Sequence, residues 1–157
     1  MKRESEQQRD FMDLCGLKRW SLTEIVKHDM LTSPVVLHNV ALAKRLIMEE
    51  VTHELMTALT QLSVGRHMNY TDKLALLAEI VDGIVDGKYV LDQLGNCLGF
   101  PLNAVFDEIQ RTNMAKAQLQ DDGTYKIIRR ADGKILKPEG WTPPNILAIL
   151  ENELDKQ

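Results

Sequence analysis

Apolar residues recur at helical spacing over two long stretches of the chain. The first stretch runs from Pro34 to about Ser63 without a breaker, and a proline in the first helical turn costs no hydrogen bond. The second follows a turn at residues 65–70, with Thr71 as its predicted cap, and ends near Gly99. Apolar positions three to five residues apart favour helices over strands. The pattern therefore predicts two long amphipathic helices, and the short turn between them predicts that they are antiparallel neighbours.

Shorter helices are predicted on both sides of this pair. Polar residues with a small apolar cluster predict a first helix that stops at Gly16. Ser21 and Glu24 form a capping-box pattern, in which each side chain accepts a free backbone N–H at the start of a helix. A further helix is predicted over residues 102–120 and a last short one after the proline pair at 143–144.

The sequence changes character after Asp121. Two Asp-Gly turns, at residues 122–123 and 132–133, flank short apolar segments and predict a small hairpin or an ordered loop. Taken together, the elements predict an all-α fold, a helical bundle with a short C-terminal hairpin or irregular tail. A single domain over residues 1–157 is expected, with core helices at about 34–120 and a tail at 121–157.

Composition narrows the class of protein. With 157 residues, 44% apolar and 27% charged, the chain is typical of one globular domain. A net charge of −4 argues against a partner such as long nucleic acid, which needs a clustered basic surface. The N-terminus lacks the apolar run of a signal peptide, and no stretch is apolar enough to span a bilayer. Two unpaired cysteines, Cys15 and Cys97, indicate a reducing compartment, so we expect a cytoplasmic protein without membrane contacts.

Acidic residues form a row on each long helix. On the first helix Glu50 lies beside His53 and Glu54, three and four residues away, and Glu49 adjoins them. The second row consists of Glu79, Asp82 and Asp86. If the helices are antiparallel neighbours, the rows can face each other and form a platform for Mg²⁺ or Mn²⁺, which prefer carboxylate oxygens. The alternative is that both rows are solvated helix surfaces.

Five segments carry a resemblance to a known family. They are FMDLCG, RLIMEEVTHEL, EIVD, FDEIQRTNMAK and RADGKILKPEGWTPPNI, which start at residues 11, 45, 79, 106 and 130. In this order they resemble the MazG-type, all-α nucleoside triphosphate pyrophosphohydrolases, and within them the phage and bacterial branch that is phosphoribosyl-ATP pyrophosphohydrolase-like. The resemblance covers most of the chain.

The resemblance implies a bundle that forms a homodimer or homotetramer and depends on Mg²⁺, with Mn²⁺ as a possible substitute. It implies cleavage of a nucleoside triphosphate between the α and β phosphates, giving a (d)NMP and pyrophosphate, as in control of the nucleotide pool. By motif position, the implied metal ligands are Glu49, Glu50, Glu79 and Asp82. Glu49 and Glu50 are also the candidate catalytic residues, since a glutamate can take the proton of the attacking water.

One position departs from the family pattern. The usual EExxE is EEVTHE here, so that His53 occupies the third acidic position and Glu54 follows it. Either Glu54 acts from this shifted position, through a local π-bulge of the kind found at functional helices, or His53 replaces it and changes the metal preference. We favour Glu54, which makes the predicted metal set Glu50, Glu54, Glu79 and Asp82. The ExxH formed by Glu50 and His53 also occurs in di-iron bundles, but those need it on two helices.

The C-terminal third supplies the predicted substrate contacts. The resemblance implies that Asn113 and Lys116 contact sugar or phosphate. Trp141 is a candidate lid residue that stacks on a base while Lys134 and Lys137 meet phosphates, or else it pins the tail to the bundle.

Two alternatives remain open at this stage. Gly83 and Gly87 inside the second long helix allow a close helix or ligand approach, or are simply tolerated. The alternative function is a non-catalytic helical dimer that binds nucleotide or a protein partner.

Overall fold

The computed structural model describes residues 2–65 and 67–156. The chain divides into two compact units, Met1–Phe100 and Pro101–Gln157, called the first and second unit below. Helices dominate and the only strands described form one two-stranded sheet, so the predicted all-α fold is confirmed. None of the described helices combines the length and apolar character that a membrane crossing needs.

The first unit consists of helices connected by short turns. Its elements are α1 (Glu4–Leu14), α2 (Leu22–Lys27), a 3₁₀ turn (Met30–Thr32), α3 (Pro34–Ile47), a π-helical segment (Met48–Leu55), α4 (Met56–Ser63) and α5 (Tyr70–Cys97). From α3 to α4 the chain is one continuous helix that begins at Pro34, as the sequence predicted.

Local signals in the sequence explain most helix ends. Gly16 follows α1 with φ of 65°, a left-handed conformation that favours glycine. The capping box is present, since Ser21 Oγ accepts the N–H of Glu24 at 3.1 Å and Glu24 Oε2 accepts the N–H of Ser21 at 2.7 Å. The predicted cap Thr71 is wrong. Asn69 caps α5 instead, because its Oδ1 reaches the N–H of Asp72 at 2.9 Å.

Two apolar clusters form the core of the first unit. The larger cluster, called the packed end, consists of Met12, Trp20, Ile25, Val36 and Cys97. The smaller cluster lies where α4 meets α5 and consists of Ala58, Leu76 and Ile80.

A polar network joins α1 to α5 beside the packed end. The buried Asn96 amide donates to the Ser5 carbonyl at 2.9 Å and to Gln8 Oε1 at 2.8 Å. Its own oxygen accepts the Arg9 guanidinium at 3.0 Å. Because a buried amide without hydrogen-bond partners lowers the stability of the fold, these bonds fix the position of α1 on α5.

The second unit contains two helices and a small hairpin. Its elements are α6 (Leu102–Met114), β1 (Gln118–Leu119), β2 (Tyr125–Lys126) and α7 (Ile146–Asp155). Gln118 pairs with Lys126 across the antiparallel hairpin. The predicted helix over 102–120 is therefore too long, because residues 118–119 pair with a strand instead. The hairpin itself is confirmed, and a bridge between Arg129 and Ile135 closes the second Asp-Gly turn.

One carboxylate connects the two helices of the second unit. Glu108 on α6 accepts two hydrogen bonds from the Arg111 guanidinium, at 2.7 and 2.8 Å, and a third from the backbone N–H of Asn145 at 3.1 Å. The Arg111 side chain, followed by the Asn145 N–H, lowers the pKa of Glu108 to about 2. The start of α7 is thereby fixed against α6, so that α6 belongs with the tail in one compact unit.

Candidate functional site

The first acidic motif lies in a π-helical segment. Residues Met48–Leu55, which contain EEVTHE, have a π-helical conformation, as one of the two predicted alternatives required. A π turn pairs residues five apart and so holds more residues per turn than an α turn. In a π turn, therefore, residue i+4 lies closer to the face of residue i than residue i+3 does. The conformation thus turns Glu54 rather than His53 toward the face of Glu50.

Two glycines of α5 allow the π-helical segment to approach closely. A Cβ on Gly83 would lie 3.0 Å from Leu55 Cβ and 3.1 Å from Leu55 Cα, and one on Gly87 would lie 2.9 Å from Val51 Cγ2. As the residue number rises along α5 it falls along the partner, so the two elements are antiparallel, as predicted. Gly83 and Gly87 therefore allow the two elements to approach closely, which favours close approach over simple tolerance.

Carboxylates from both rows line one cavity between α5 and the π-helical segment. The cavity has a volume of about 380 Å³. Its lining, called the acidic cavity, includes Glu54, Glu79 and Asp82 together with His53, Thr57 and Ala58. Three of the four predicted metal ligands thus line one cavity, and His53 lines the same cavity.

The fourth predicted ligand, Glu50, interacts electrostatically with carboxylates of both acidic rows. Burial raises the pKa of Glu50, and the negative charges of neighbouring carboxylates raise it further. In order of effect these neighbours are Glu54, Asp86, Glu49 and Asp82. Since Asp82 and Asp86 belong to α5, the acidic rows of the two helices face each other.

The donor set fits a divalent cation in type and charge. Within residues 2–65 and 67–156, none of the six carboxylates at positions 49, 50, 54, 79, 82 and 86 forms an ion pair with lysine or arginine. Among the described residues, therefore, no close ion pair offsets their mutual repulsion, and a bound cation would reduce it. In the same described residues, no three His, Cys, Asp or Glu side chains converge as a metal site would require. Binding an ion would thus require these side chains to rotate toward it.

The predicted substrate contacts form a second cluster, in the second unit. Lys116 Nζ donates to Asn113 Oδ1 at 2.7 Å. The Trp141 ring has Lys137 Nζ 4.0 Å and Lys116 Nζ 6.0 Å from its centroid, distances at which a cation is attracted to an indole face. Its indole N–H donates to the Thr112 carbonyl at 2.8 Å. Trp141 therefore pins the tail to α6 and also places two ammonium groups beside one ring.

A larger cavity on α3 was missed by the sequence reasoning. It has a volume of about 1020 Å³ and shares His53, Glu54 and Glu49 with the acidic motif. Its remaining lining, on α3 and at the first position of the π-helical segment, consists of His38, Ala41, Lys44, Arg45 and Met48. Apart from the adjacent pair Lys44 and Arg45, these positions follow each other at steps of three, so they share one helix face. That spacing, which runs into Glu49, was the sequence signal that could have revealed them.

The acidic cavity is lined by residues of RLIMEEVTHEL and EIVD, two of the five segments that carry the MazG resemblance. The resemblance itself rests on the five quoted segments and on their order along the chain. No protein family model and no curated protein matches this chain.

Proposed function

We propose that this protein is a Mg²⁺-dependent nucleoside triphosphate pyrophosphohydrolase. The observation that supports this most strongly is the π-helical conformation of the acidic motif, since it brings Glu54 to the cavity of Glu79 and Asp82. A helix pays for non-α geometry with poorer hydrogen bonding, so a π segment at a predicted reactive motif indicates a functional constraint. The predicted ligands and the π-helical segment coincide.

The reaction is a displacement at the α-phosphorus by water. The water oxygen forms a bond to phosphorus, the bond from this phosphorus to the oxygen bridging the α and β phosphates breaks, and pyrophosphate leaves with the bridging oxygen. Glu49 or Glu50 accepts the proton that the water loses. Without a bound metal, burial and neighbouring negative charge raise the pKa of Glu50.

The residues that would hold the metal are Glu50, Glu54, Glu79 and Asp82. Bound there, Mg²⁺ would neutralise phosphate charge and lower the pKa of a coordinated water. Asp86 lies near enough to Glu50 to raise its pKa, so it would add negative charge to the site without being a required ligand.

We propose Asn113, Lys116, Lys137 and Trp141 as substrate-contacting residues within the second unit, the first two as the resemblance implies. Their clustering in the second unit supports a shared role, with the ammonium groups near the Trp141 ring as the cationic part. The nucleotide that these residues select can be identified by measuring activity on a panel of triphosphates with different bases and sugars.

A homodimer is part of the proposal. An apolar stripe runs along α5 with every side chain more than half exposed, and exposed apolar patches of this kind mark interfaces. The stripe consists of Leu74, Leu77, Val81, Ile84 and Val85. Sedimentation equilibrium should give at least twice the monomer mass, and a Leu77→Glu/Val81→Glu variant should shift it toward the monomer.

The activity test is pyrophosphate release from a panel of ribo- and deoxyribonucleoside triphosphates with Mg²⁺. Glu79→Gln should remove most of the release, whereas Glu151→Gln, at an exposed carboxylate on α7, should leave it unchanged. Mg²⁺-dependent release from any of these substrates supports the enzyme. Metal-independent nucleotide binding without release would instead support the non-catalytic dimer.

A further inference from the structure

The acidic cavity lacks the positive charge that a triphosphate needs. A nucleoside triphosphate carries several negative charges, and the side chains of Glu54, Glu79 and Asp82 repel it. In the described part of the chain, no lysine or arginine lines this cavity. A bound cation would compensate part of the charge. The phosphates that leave as pyrophosphate still require a second source of positive charge.

The adjoining cavity on α3 contains two cationic side chains, together with the carboxylates of Glu49 and Glu54. Lys44 and Arg45 line it, both side chains are exposed, and neither forms an ion pair with a described residue. His53 and Glu54 line both cavities, so the two cavities adjoin at these residues. An anion that extends past these residues would have one end at the carboxylates and the other beside the two cations.

The chemistry of the two cations suits a phosphate chain. The Arg45 guanidinium offers several N–H donors in a fixed plane and can bind phosphate oxygens in pairs, while the Lys44 ammonium acts as a compact point charge. A volume of about 1020 Å³ is more than a triphosphate requires. The apolar Ala41 and Met48 form part of the same lining and leave room for a non-phosphate group.

We propose that Lys44 and Arg45 bind the β and γ phosphates of the substrate, the part that leaves as pyrophosphate. This inference rests on the proposed function for the orientation of the substrate, with the α-phosphorus at the carboxylates. It assigns the phosphate chain to the cavity on α3 and not to Lys116 and Lys137 of the second unit.

The test uses inorganic tripolyphosphate, which has the phosphate chain but no base or sugar. Its binding to the full-length protein is measured by calorimetry with Mg²⁺, at low and high salt. A Lys44→Gln/Arg45→Gln variant should lose about tenfold to 100-fold in affinity, because hydrogen bonds between charged groups are the strongest of their kind. The salt dependence of its affinity should also be weaker.

Three matched variants control for charge and folding. Lys73→Gln removes an exposed lysine of α5 that lines neither cavity, and should bind like the unaltered protein. Lys44→Arg/Arg45→Lys keeps both charges and should restore most of the affinity. Lys116→Gln/Lys137→Gln tests the competing assignment, because a phosphate chain bound by the second unit would lose affinity in this variant and not in Lys44→Gln/Arg45→Gln. Circular dichroism melts verify that each variant is folded.

The outcomes separate this inference from the proposed function. If Lys116→Gln/Lys137→Gln causes the loss and Lys44→Gln/Arg45→Gln does not, the phosphate assignment is wrong. An unaltered protein that hydrolyses nucleotides but has no measurable affinity for tripolyphosphate would also contradict it. Absence of hydrolysis with any nucleotide, by contrast, refutes the enzyme even where tripolyphosphate binds at Lys44 and Arg45.

Discussion

The two ends of the first unit are built in different ways. At the packed end, large side chains such as Met12 and Trp20 are almost fully buried, and the polar network of Asn96 accompanies them. At the other end, called the acidic end, the buried cluster consists only of Ala58, Leu76 and Ile80. There α5 and the π-helical segment approach closely at Gly83 and Gly87. The acidic end also carries the exposed apolar stripe of α5.

This difference separates stability from the candidate chemistry. Burial of large apolar side chains is the main favourable term in folding, and the packed end contains most of it. The acidic end combines mutually repelling carboxylates with a π-helical segment, both of which cost stability. Unfavourable features concentrate where binding or catalysis requires them. Four predictions follow from this comparison.

The largest effect is expected at Gly99, in the packed end. Its φ is 70°, and an added Cβ would lie 2.4 Å from the Trp20 carbonyl oxygen and 2.5 Å from the Leu22 nitrogen. Gly99→Ala should lower the free energy of unfolding by about 3 kcal/mol or more, since left-handed strain and overpacking add. Gly16→Ala is the matched control, because its φ is 65° but its Cβ would meet no described atom within 4 Å. Equal losses in urea denaturation would refute the contact argument.

At the acidic end, activity and stability should change in opposite directions. Asp82→Asn should lower pyrophosphate release by at least about 100-fold, because even outer-shell partners of a metal contribute 10- to 100-fold. The same substitution removes one negative charge beside Glu50, so the unfolding free energy should stay level or rise by a few tenths of a kcal/mol. Parallel urea titrations and activity assays check both. A stability loss as large as that of Gly99→Ala would show that Asp82 is structural.

The helix spacing at the acidic end should depend on Gly83 and Gly87. Gly83→Ala should cost about 1 to 2 kcal/mol, because overpacking against Leu55 outweighs the gain in helix propensity. Gly87→Ala meets only the Val51 side chain, so adding Val51→Ala should recover much of its loss. No such truncation relieves Gly83, where the contact includes Leu55 backbone atoms. Thermal melts that show the same rescue at both positions would contradict this packing.

The smallest expected effect is on pH dependence, measured in EDTA. Near the packed end, hydrogen bonds with Ser21 lower the pKa of the Glu24 carboxyl from its ordinary value of 4.5. The charged Glu24 therefore stabilises the folded protein above pH 4.5, and this stabilisation is lost as the pH falls below that value. Burial and like charges raise the pKa of Glu50, so protonation favours its folded state and the charged form is a penalty at neutral pH. At neutral pH, Glu24→Gln should therefore be destabilised and Glu50→Gln stabilised. Both differences should shrink well below pH 4.5, and shifts of the same sign at neutral pH would contradict the comparison.

Local patterns in the sequence determined the helices and their main boundaries. Pro34, Gly16 and the pair Ser21 and Glu24 act within one turn of their own position, so their effect is visible in the sequence. The two errors arose where neighbouring segments compete. Asn69 is an equally good cap two residues before Thr71, and pairing with residues 125–126 shortened α6.

The acidic motifs were visible in the sequence because residue type and spacing suffice to identify carboxylate rows. Only the tertiary structure could show that these rows face each other between α5 and the π-helical segment, since the electrostatic interaction of Glu50 with Asp82 depends on how two helices pack. It also decided that the motif is π-helical, and that Lys44 and Arg45 share a cavity with Glu54. The physical reason is that helix propensity depends on neighbours within a few residues of the chain. The close approach at Gly83 and Gly87 depends instead on Leu55 and Val51, which lie about 30 residues earlier in the sequence.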